Sequence, residues 1–340
     1  MTSDASPVIS LLQSLHKEHG PEIPQILPAA SKALTPFLQA HAQDIKSVRV
    51  ATHQYGAHAR QEVDWYTCET ARHDAPIPLL VFLHGGGLTR GDKNEPMPPG
   101  GLVYANLGRF FTSKGFHVLI PNYRRVNSID PKTGAAIAEN ENATFPTGGK
   151  DLAQLLKFVD THLPFAAPGQ KVKVHIIGCS AGGVHLGTYL FHPPLFPDTI
   201  HAGGYENLDI STGIFLNTPF HFNGAAPSRK PVLDAYHPPK TYPADKFSPY
   251  GLLARFDIPD PENAHKGPQI IIITAEYDPQ EILKPAEDFI KLVQGKAGFV
   301  SEVIRLPSHN HISPPMTLAV GDSEGEKWGS ELAQKLKARL

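Results

Sequence analysis

The chain has 340 residues, enough for one large or two ordinary domains, and its 41% hydrophobic and 19% charged residues supply a sizeable core and exclude a disordered chain. With 31 Lys+Arg against 33 Asp+Glu the net charge is -2, which gives nucleic acid or an anionic membrane no overall attraction. Two cysteines, Cys68 and Cys179, cannot staple a chain this long, and the longest aliphatic run, Ile270 to Ile273, is far short of a membrane span.

Residues Met1 to Pro7 lack the basic start and apolar stretch of a secretory signal, so a soluble, cytoplasmic protein is expected. Val8, Leu11, Leu12 and Leu15 then recur at helical spacing, in a pattern interrupted by Pro21, Pro24 and Pro28. Val48 to Thr52 and Glu62 to Tyr66 read as two strands, an antiparallel entry to a sheet. From there short apolar strands alternate with helix-length segments. Strand Leu79–Leu83 is followed by a helix over Gly101–Ser113, strand Phe116–Ile120 by a helix over Lys150–His162, and strand Val172–Ile177 by a helix from Ala181. Ile210–Leu216, Ile270–Thr274 and Phe299–Leu306 continue the strands, with helices over Pro279–Gln294 and Glu324–Leu340. Buried strands alternating with helices predict an α/β domain, a mostly parallel central sheet flanked by helices. Residues 124–149 form a long polar connection, and 192–262 are rich in Pro, His and aromatics. The expected organisation is a helical cap segment at 1–44 and a catalytic domain at 45–340, with 192–262 an insertion forming part of the lid or pocket wall.

Chemistry enters with Gly178-Cys179-Ser180-Ala181-Gly182, a G-x-S-x-G that follows a strand and opens a helix. In that setting the turn is too tight for side chains at the glycines, and the Ser180 hydroxyl is held up at the sheet edge near a helix N-terminus. The second signal is His84-Gly85-Gly86-Gly87 at the end of a strand, where unshielded backbone N–H groups can approach an oxyanion. Neither G-x-G-x-x-G nor G-x-x-x-x-G-K-[ST] occurs there, so phosphate binding is the weaker reading.

A serine nucleophile needs a base, and the base an orienting acid. Asp278, in Glu276-Tyr277-Asp278-Pro279 after a strand, is the candidate acid; it is also placed to N-cap the next helix, and Glu276 is the reserve. Pro307-Ser308-His309-Asn310-His311-Ile312-Ser313 follows the last strand and offers two histidines out of 18 in the chain. A His-x-His pair also suits a metal, but no further ligands are grouped nearby. The order Ser180, Asp278, His311 is Ser…Asp…His.

These stretches resemble the α/β-hydrolase superfamily, in particular the HGGG-type, hormone-sensitive-lipase-like carboxylesterases. The resemblance runs from about residue 47 to the C-terminus and rests on His84-Gly85-Gly86-Gly87, the elbow Gly178 to Gly183, Glu276 to Pro279 and His309 to Ser313. It implies Ser180 as nucleophile and Gly86, Gly87 and Ala181 as donors to the oxyanion, and it favours His311 over His309 as base. Three glycines imply room for bulky alcohol groups. Gly91-Asp92-Lys93 also resembles feruloyl-esterase-like or arylformamidase-like relatives. The implied activity is hydrolysis of small to medium apolar esters by a Ser-His-Asp triad and an acyl-enzyme, with no metal or organic cofactor. Amide or lactone hydrolysis by the same triad, or ligand binding without turnover, are the alternatives.

Other residues have quieter expectations. His185 and Cys179 are expected as packed core beside the nucleophile, and Tyr104, Phe110 and Phe111 as core. Arg124-Arg125 suits either an acidic substrate or structural salt bridges. The ending Ala338-Arg339-Leu340 resembles a peroxisomal import signal, and equally a helix finishing on basic residues.

Overall fold

The structure, a computed structural model, describes residues 6–69, 77–96, 100–126, 141–162, 170–193, 195, 205–256, 268–296 and 301–338. Three helices come first, α1 (Pro7–His19), α2 (Ile23–Ala40) and the short α3 (Ala42–Ile45). Strands β1 (Val50–Gln54), β2 (Glu62–Tyr66) and β3 (Leu79–Leu83) lead to α4 (Ala105–Ser113), β4 (His117–Pro121) and α5 (Thr147–His162). Then come β5 (Val172–Cys179), α6 (Ala181–Phe191), β6 (Leu208–Leu216), α7 (Lys230–Tyr236), α8 (Ala244–Phe247) and α9 (Pro249–Ala254). The chain closes with β7 (Gln269–Tyr277), α10 (Gln280–Gln294), β8 (Ser301–Asn310), α11 (Ser313–Met316) and α12 (Lys327–Lys337).

The eight strands form one sheet in the order β1-β2-β4-β3-β5-β6-β7-β8. β1 and β2 run antiparallel to each other, β2 runs antiparallel to β4, and every other pair is parallel. Because successive side chains leave a strand on opposite faces, each apolar run feeds two cores. Leu79, Val81 and Leu83 pack with Leu155, Val184 and Phe289 on one face. Leu80 and Phe82 pack with Leu12, Phe111 and Trp328 on the other. Ile270 and Ile272 divide from Ile271 and Ile273 in the same way. Burial on both faces is why these strands read as continuous hydrophobic runs.

Several boundaries differ from the sequence reading. Gly100 and Gly101 have φ of 106° and 64°, outside the helical region, so α4 starts at Ala105 and not at Gly101. Pro28, expected to interrupt the helical pattern, lies inside α2, as does Pro36. Both prolines are solvent-exposed, where water can satisfy the carbonyls they leave without partners. Ile26, Ala30, Leu34 and Leu38 meanwhile bury one stripe of the helix and offset the backbone cost. Within 192–262, the strand expected at Ile210–Leu216 is the central strand β6, which begins two residues earlier and divides the stretch. What remains is the excursion between β6 and β7, which carries α7, α8 and α9 and places Tyr236, Leu252 and Leu253 in the core. Residues 257–262, the middle of the polar connection at 127–140, the strand start at 299–300, and Arg339 and Leu340 lie outside the described residues. Among the described residues, no helix is long and apolar enough to cross a membrane.

The N-terminal helices are tied to the C-terminal part of the chain. Ser6 caps α1 through Ile9 N–H and donates to the Asp322 carboxylate at 2.7 Å, which also accepts from Val8 N–H. α1 packs on β8 and α2 on α11. His16 stacks on Tyr277 with ring centroids 3.9 Å apart, and Gln13 donates to the Ser308 hydroxyl at 3.1 Å. Residues 6–40 therefore abut the strand ends that carry Asp278 and the histidine loop.

Candidate active site

Ser180 sits between β5 and α6 with φ 51° and ψ −115°, a left-handed backbone that a non-glycine residue adopts only under constraint. Its N–H donates to the Leu216 carbonyl at 2.9 Å, pinning the turn to the neighbouring strand. Gly182 lets the first turn of α6 pass against β3, since a Cβ there would collide with the Leu83 and His84 carbonyls. These contacts raise the Ser180 hydroxyl at the carboxyl edge of the parallel strands.

The structure brings Ser180, His311 and Asp278 into one hydrogen-bonded row. His311 Nε2 is 3.0 Å from Ser180 Oγ, and His311 Nδ1 is 2.7 Å from Asp278 Oδ1. Both His311 and Asp278 are buried. The second Asp278 oxygen accepts the Ala275 N–H at 3.0 Å, which fixes the plane of the carboxylate. Asp278 is not the cap of α10: Pro279 occupies that position and no side chain caps the helix. Glu276 is turned elsewhere, accepting the Ser308 N–H at 2.6 Å. His309 also faces away from Ser180, with Nδ1 3.0 Å from the Ser313 hydroxyl, and burial pushes its pKa down to about 4. The two histidines therefore do not converge on a common point as a metal pair would.

The glycine loop lies across from the serine. A Cβ built on Gly85 would stand 3.4 Å from the Ser180 Cβ, so the loop and the nucleophile are in contact. Gly86 has φ 125°, Gly87 has φ 61°, and a side chain on Gly86 would collide with the Arg90 carbonyl. Among the described residues, neither the Gly86 nor the Gly87 amide donates a hydrogen bond to the protein. Ala181 is the first residue of α6, where an N–H has no partner within the helix. Replacing Gly86 by Ala should reshape this loop and lower kcat by about 10²-fold or more on any acyl substrate, with the fold retained by circular dichroism.

Behind the loop stands a polar scaffold that the sequence did not reveal. His84 Nδ1 faces the Gly85 carbonyl at 2.7 Å and its Nε2 faces Asn122 Oδ1 at 3.2 Å, while Tyr123 donates to the His84 carbonyl at 2.6 Å. Asn122 Oδ1 also accepts from Lys93 N–H and Arg60, and Arg60 pairs with Asp92 at 2.7 Å. Arg124 and Arg125, open to an acidic substrate from sequence, are engaged by Asp151 and Glu141, each at 2.6 Å. Lys93 pairs with Asp64 at 2.8 Å. Asn217 and Asn310 were likewise missed. Asn217 donates to the His311 carbonyl at 3.2 Å and accepts from Ala275 N–H, tying the acid strand to the histidine loop. Asn310 Oδ1 accepts from Ile312 and Ser313 N–H groups and shapes the turn after His311. The one available signal was the position of Asn310 between the two histidines.

His185 is buried, with Nδ1 3.1 Å from the Tyr236 hydroxyl; burial first, then the neighbouring His84 and His237, bring its pKa down to about 3. Burial pushes the Cys179 thiol up to about 12, with the Asp278 charge adding to it, so the sulfur stays protonated beside the nucleophile. A cavity of ≈ 370 Å³ lies against the β6–β7 excursion, lined by residues including His221, Phe222, Pro227, Lys230 and Tyr250. None of Ser180, Asp278 and His311 lines it.

No family model matches the sequence, and no curated protein matches it significantly. Solved structures do match. A hyperthermophilic esterase from the archaeon Pyrobaculum calidifontis aligns over 97% of this chain and 97% of its own, with TM-score 0.62 and 17% identity. Esterase LipW from Mycobacterium marinum aligns over 97% and 96%, with TM-score 0.60 and 16% identity. Esterase B from Lactobacillus rhamnosis covers 91% and 96%, with TM-score 0.59 and 16% identity. The chain has the α/β-hydrolase fold. At this identity the likeness is one of architecture, and a fold does not fix the chemistry of its site.

Proposed function

We propose that the protein is a serine carboxylesterase acting on small to medium, largely apolar esters. The observation that carries this reading is the continuous row Ser180–His311–Asp278, at 3.0 and 2.7 Å, facing a glycine loop with undonated amides. His311 accepts the Ser180 proton at Nε2 as Oγ attacks the ester carbonyl, and Asp278 holds the Nδ1–H tautomer and stabilises the imidazolium that forms. The Gly86, Gly87 and Ala181 N–H groups meet the developing oxyanion, the contribution expected to be largest. His311 then returns the proton to the leaving alcohol, and a water activated by the same imidazole clears the acyl-enzyme. Residues 6–40 are proposed as cap, supported by the His16–Tyr277 stack and the Gln13–Ser308 bond, and the excursion carrying α7, α8 and α9 as pocket wall, supported by the Arg229 bond to the Gly87 carbonyl.

The test is hydrolysis of p-nitrophenyl esters from acetyl to dodecanoyl by the parent protein and Ser180→Ala. Turnover that falls by about 10⁴-fold or more in the variant is expected, with the preferred chain length sizing the acyl pocket. Full activity in Ser180→Ala would end this reading, and an absence of turnover on every ester would move it to an amide or lactone substrate, or to ligand binding without turnover.

A further inference from the structure

Most of the positive side chains around the glycine loop are already committed. Arg60 faces Asp92, Arg124 faces Asp151, Arg125 faces Glu141 and Lys93 faces Asp64, all within 2.8 Å. Arg229 is different. It ends a short 3-10 turn, Pro227–Arg229, in the excursion between β6 and β7, and its half-buried guanidinium reaches back to the glycine loop. Nη2 donates to the Gly87 carbonyl at 3.2 Å, and a Cβ on Gly87 would stand 2.8 Å from Nη1. Among the described residues, no carboxylate oxygen lies within 4.0 Å of it. Glu281, the acid whose charge it feels, accepts the Ala226 N–H at 3.2 Å. Burial lowers the Arg229 pKa, Glu281 opposes that shift, and Arg90 adds a second positive charge close by.

A guanidinium withdrawn from water with no carboxylate in direct contact recovers only part of its desolvation cost. Its planar fork of N–H donors is shaped for a carboxylate, and one carbonyl uses only a single donor. Gly87 lies two residues, roughly 7 Å or less of chain, from Gly85, which touches Ser180, and the Arg229 fork stands against Gly87.

We propose that Arg229 binds a carboxylate on the substrate, so that the preferred ester carries an anionic group a few atoms from its scissile carbonyl. This deepens the esterase reading and rests on it for the chemistry of the scissile bond. The anion supplies the directly paired charge, and it orients the ester carbonyl toward the Gly86 and Gly87 amides. Arg124 and Arg125, the sequence's candidates for an acidic substrate, are occupied by Asp151 and Glu141, so the role falls to a residue that no motif marks.

The experiment compares p-nitrophenyl butyrate with p-nitrophenyl hemiglutarate, and phenyl acetate with 4-acetoxybenzoate, in the parent, Arg229→Gln and Arg229→Lys proteins. The parent should favour the anionic member of at least one pair. Arg229→Gln should lose about 10-fold or more in kcat/KM on that member, mainly through KM, while the neutral esters change by less than about threefold. Arg229→Lys should recover part of the loss, since it keeps the charge but not the fork. Equal losses on neutral and anionic esters would overturn the proposal and make Arg229 a tether of the glycine loop. A parent indifferent to the charge in both pairs would overturn it as well. If no ester is turned over, calorimetric titration with monomethyl glutarate still decides: binding lost in Arg229→Gln sustains the carboxylate site, and absent or unchanged binding removes it.

Discussion

Asp278→Asn is expected to cut kcat by about 10⁴-fold while leaving the protein folded, because it reverses one proton. In the native arrangement one carboxylate oxygen accepts the Ala275 N–H at 3.0 Å and the other faces His311 Nδ1 at 2.7 Å. Asn can keep the Ala275 bond only by placing its carbonyl oxygen there, which turns its NH₂ toward His311. A donor facing Nδ1 requires the imidazole to accept, and the ring proton moves to Nε2. His311 Nε2–H then points at Ser180 Oγ, 3.0 Å away, and cannot take the serine proton. Glu276 does not substitute, since its carboxylate is held by the Ser308 N–H. The check is single-turnover kinetics on a p-nitrophenyl ester beside a melting curve. A loss below tenfold with an unchanged melting temperature would show that the tautomer argument fails here.

The second large effect is on stability in acid. His84, His117, His185, His237 and His309 are all buried, and burial brings each to about 3 or 4. In the unfolded chain each returns to about 6.5. Between those values the unfolded state binds more protons than the folded one, so stability is fully present above about pH 6.5 and falls as pH drops toward about 4. Each histidine contributes a slope of up to about 1.4 kcal/mol per pH unit in that window. Five together approach a typical total stability of about 5–15 kcal/mol within one or two units, so cooperative unfolding is expected near about pH 5. Melting temperatures followed by circular dichroism from pH 8 to pH 4.5 will show it, and a flat profile between pH 7 and pH 5 would contradict it. His237 is the sharpest single probe. Among the described residues neither of its ring nitrogens has a hydrogen-bond partner, and it packs on Phe145, Phe222 and Tyr236. His237→Leu should leave the melting temperature at pH 8 unchanged or higher and make its decline in acid shallower.

Legibility from the sequence followed the range of the forces involved. Leu79–Leu83 and Ile270–Ile273 were readable as strands because burial on both faces demands apolar residues at every position. Ser180 stood out because a strand, a tight glycine turn and a helix are all specified within a few residues. Pro28 misled because local backbone chemistry argued for an interruption, whereas Ile26, Leu34 and Leu38 gain more from the core than the prolines of α2 cost at an exposed face. Within 192–262 the strand was legible at Ile210–Leu216, two residues short of β6 (Leu208–Leu216), whereas the helices α7, α8 and α9 that follow it were not read from the Pro-, His- and aromatic-rich composition.

What the sequence determined by itself was the alternation of elements, the parallel sheet with its antiparallel entry, and the turn that exposes Ser180, all consequences of side-chain periodicity and short-range sterics. The tertiary structure alone decided that His311 and not His309 meets Ser180, and that Asp278 turns to His311 instead of capping α10. It also committed Arg124 and Arg125 to carboxylates and set Arg229 against the Gly87 carbonyl, 142 residues away in the chain. Which polar groups pair depends on how packed elements juxtapose side chains from distant segments, and residue spacing along the chain does not encode that placement.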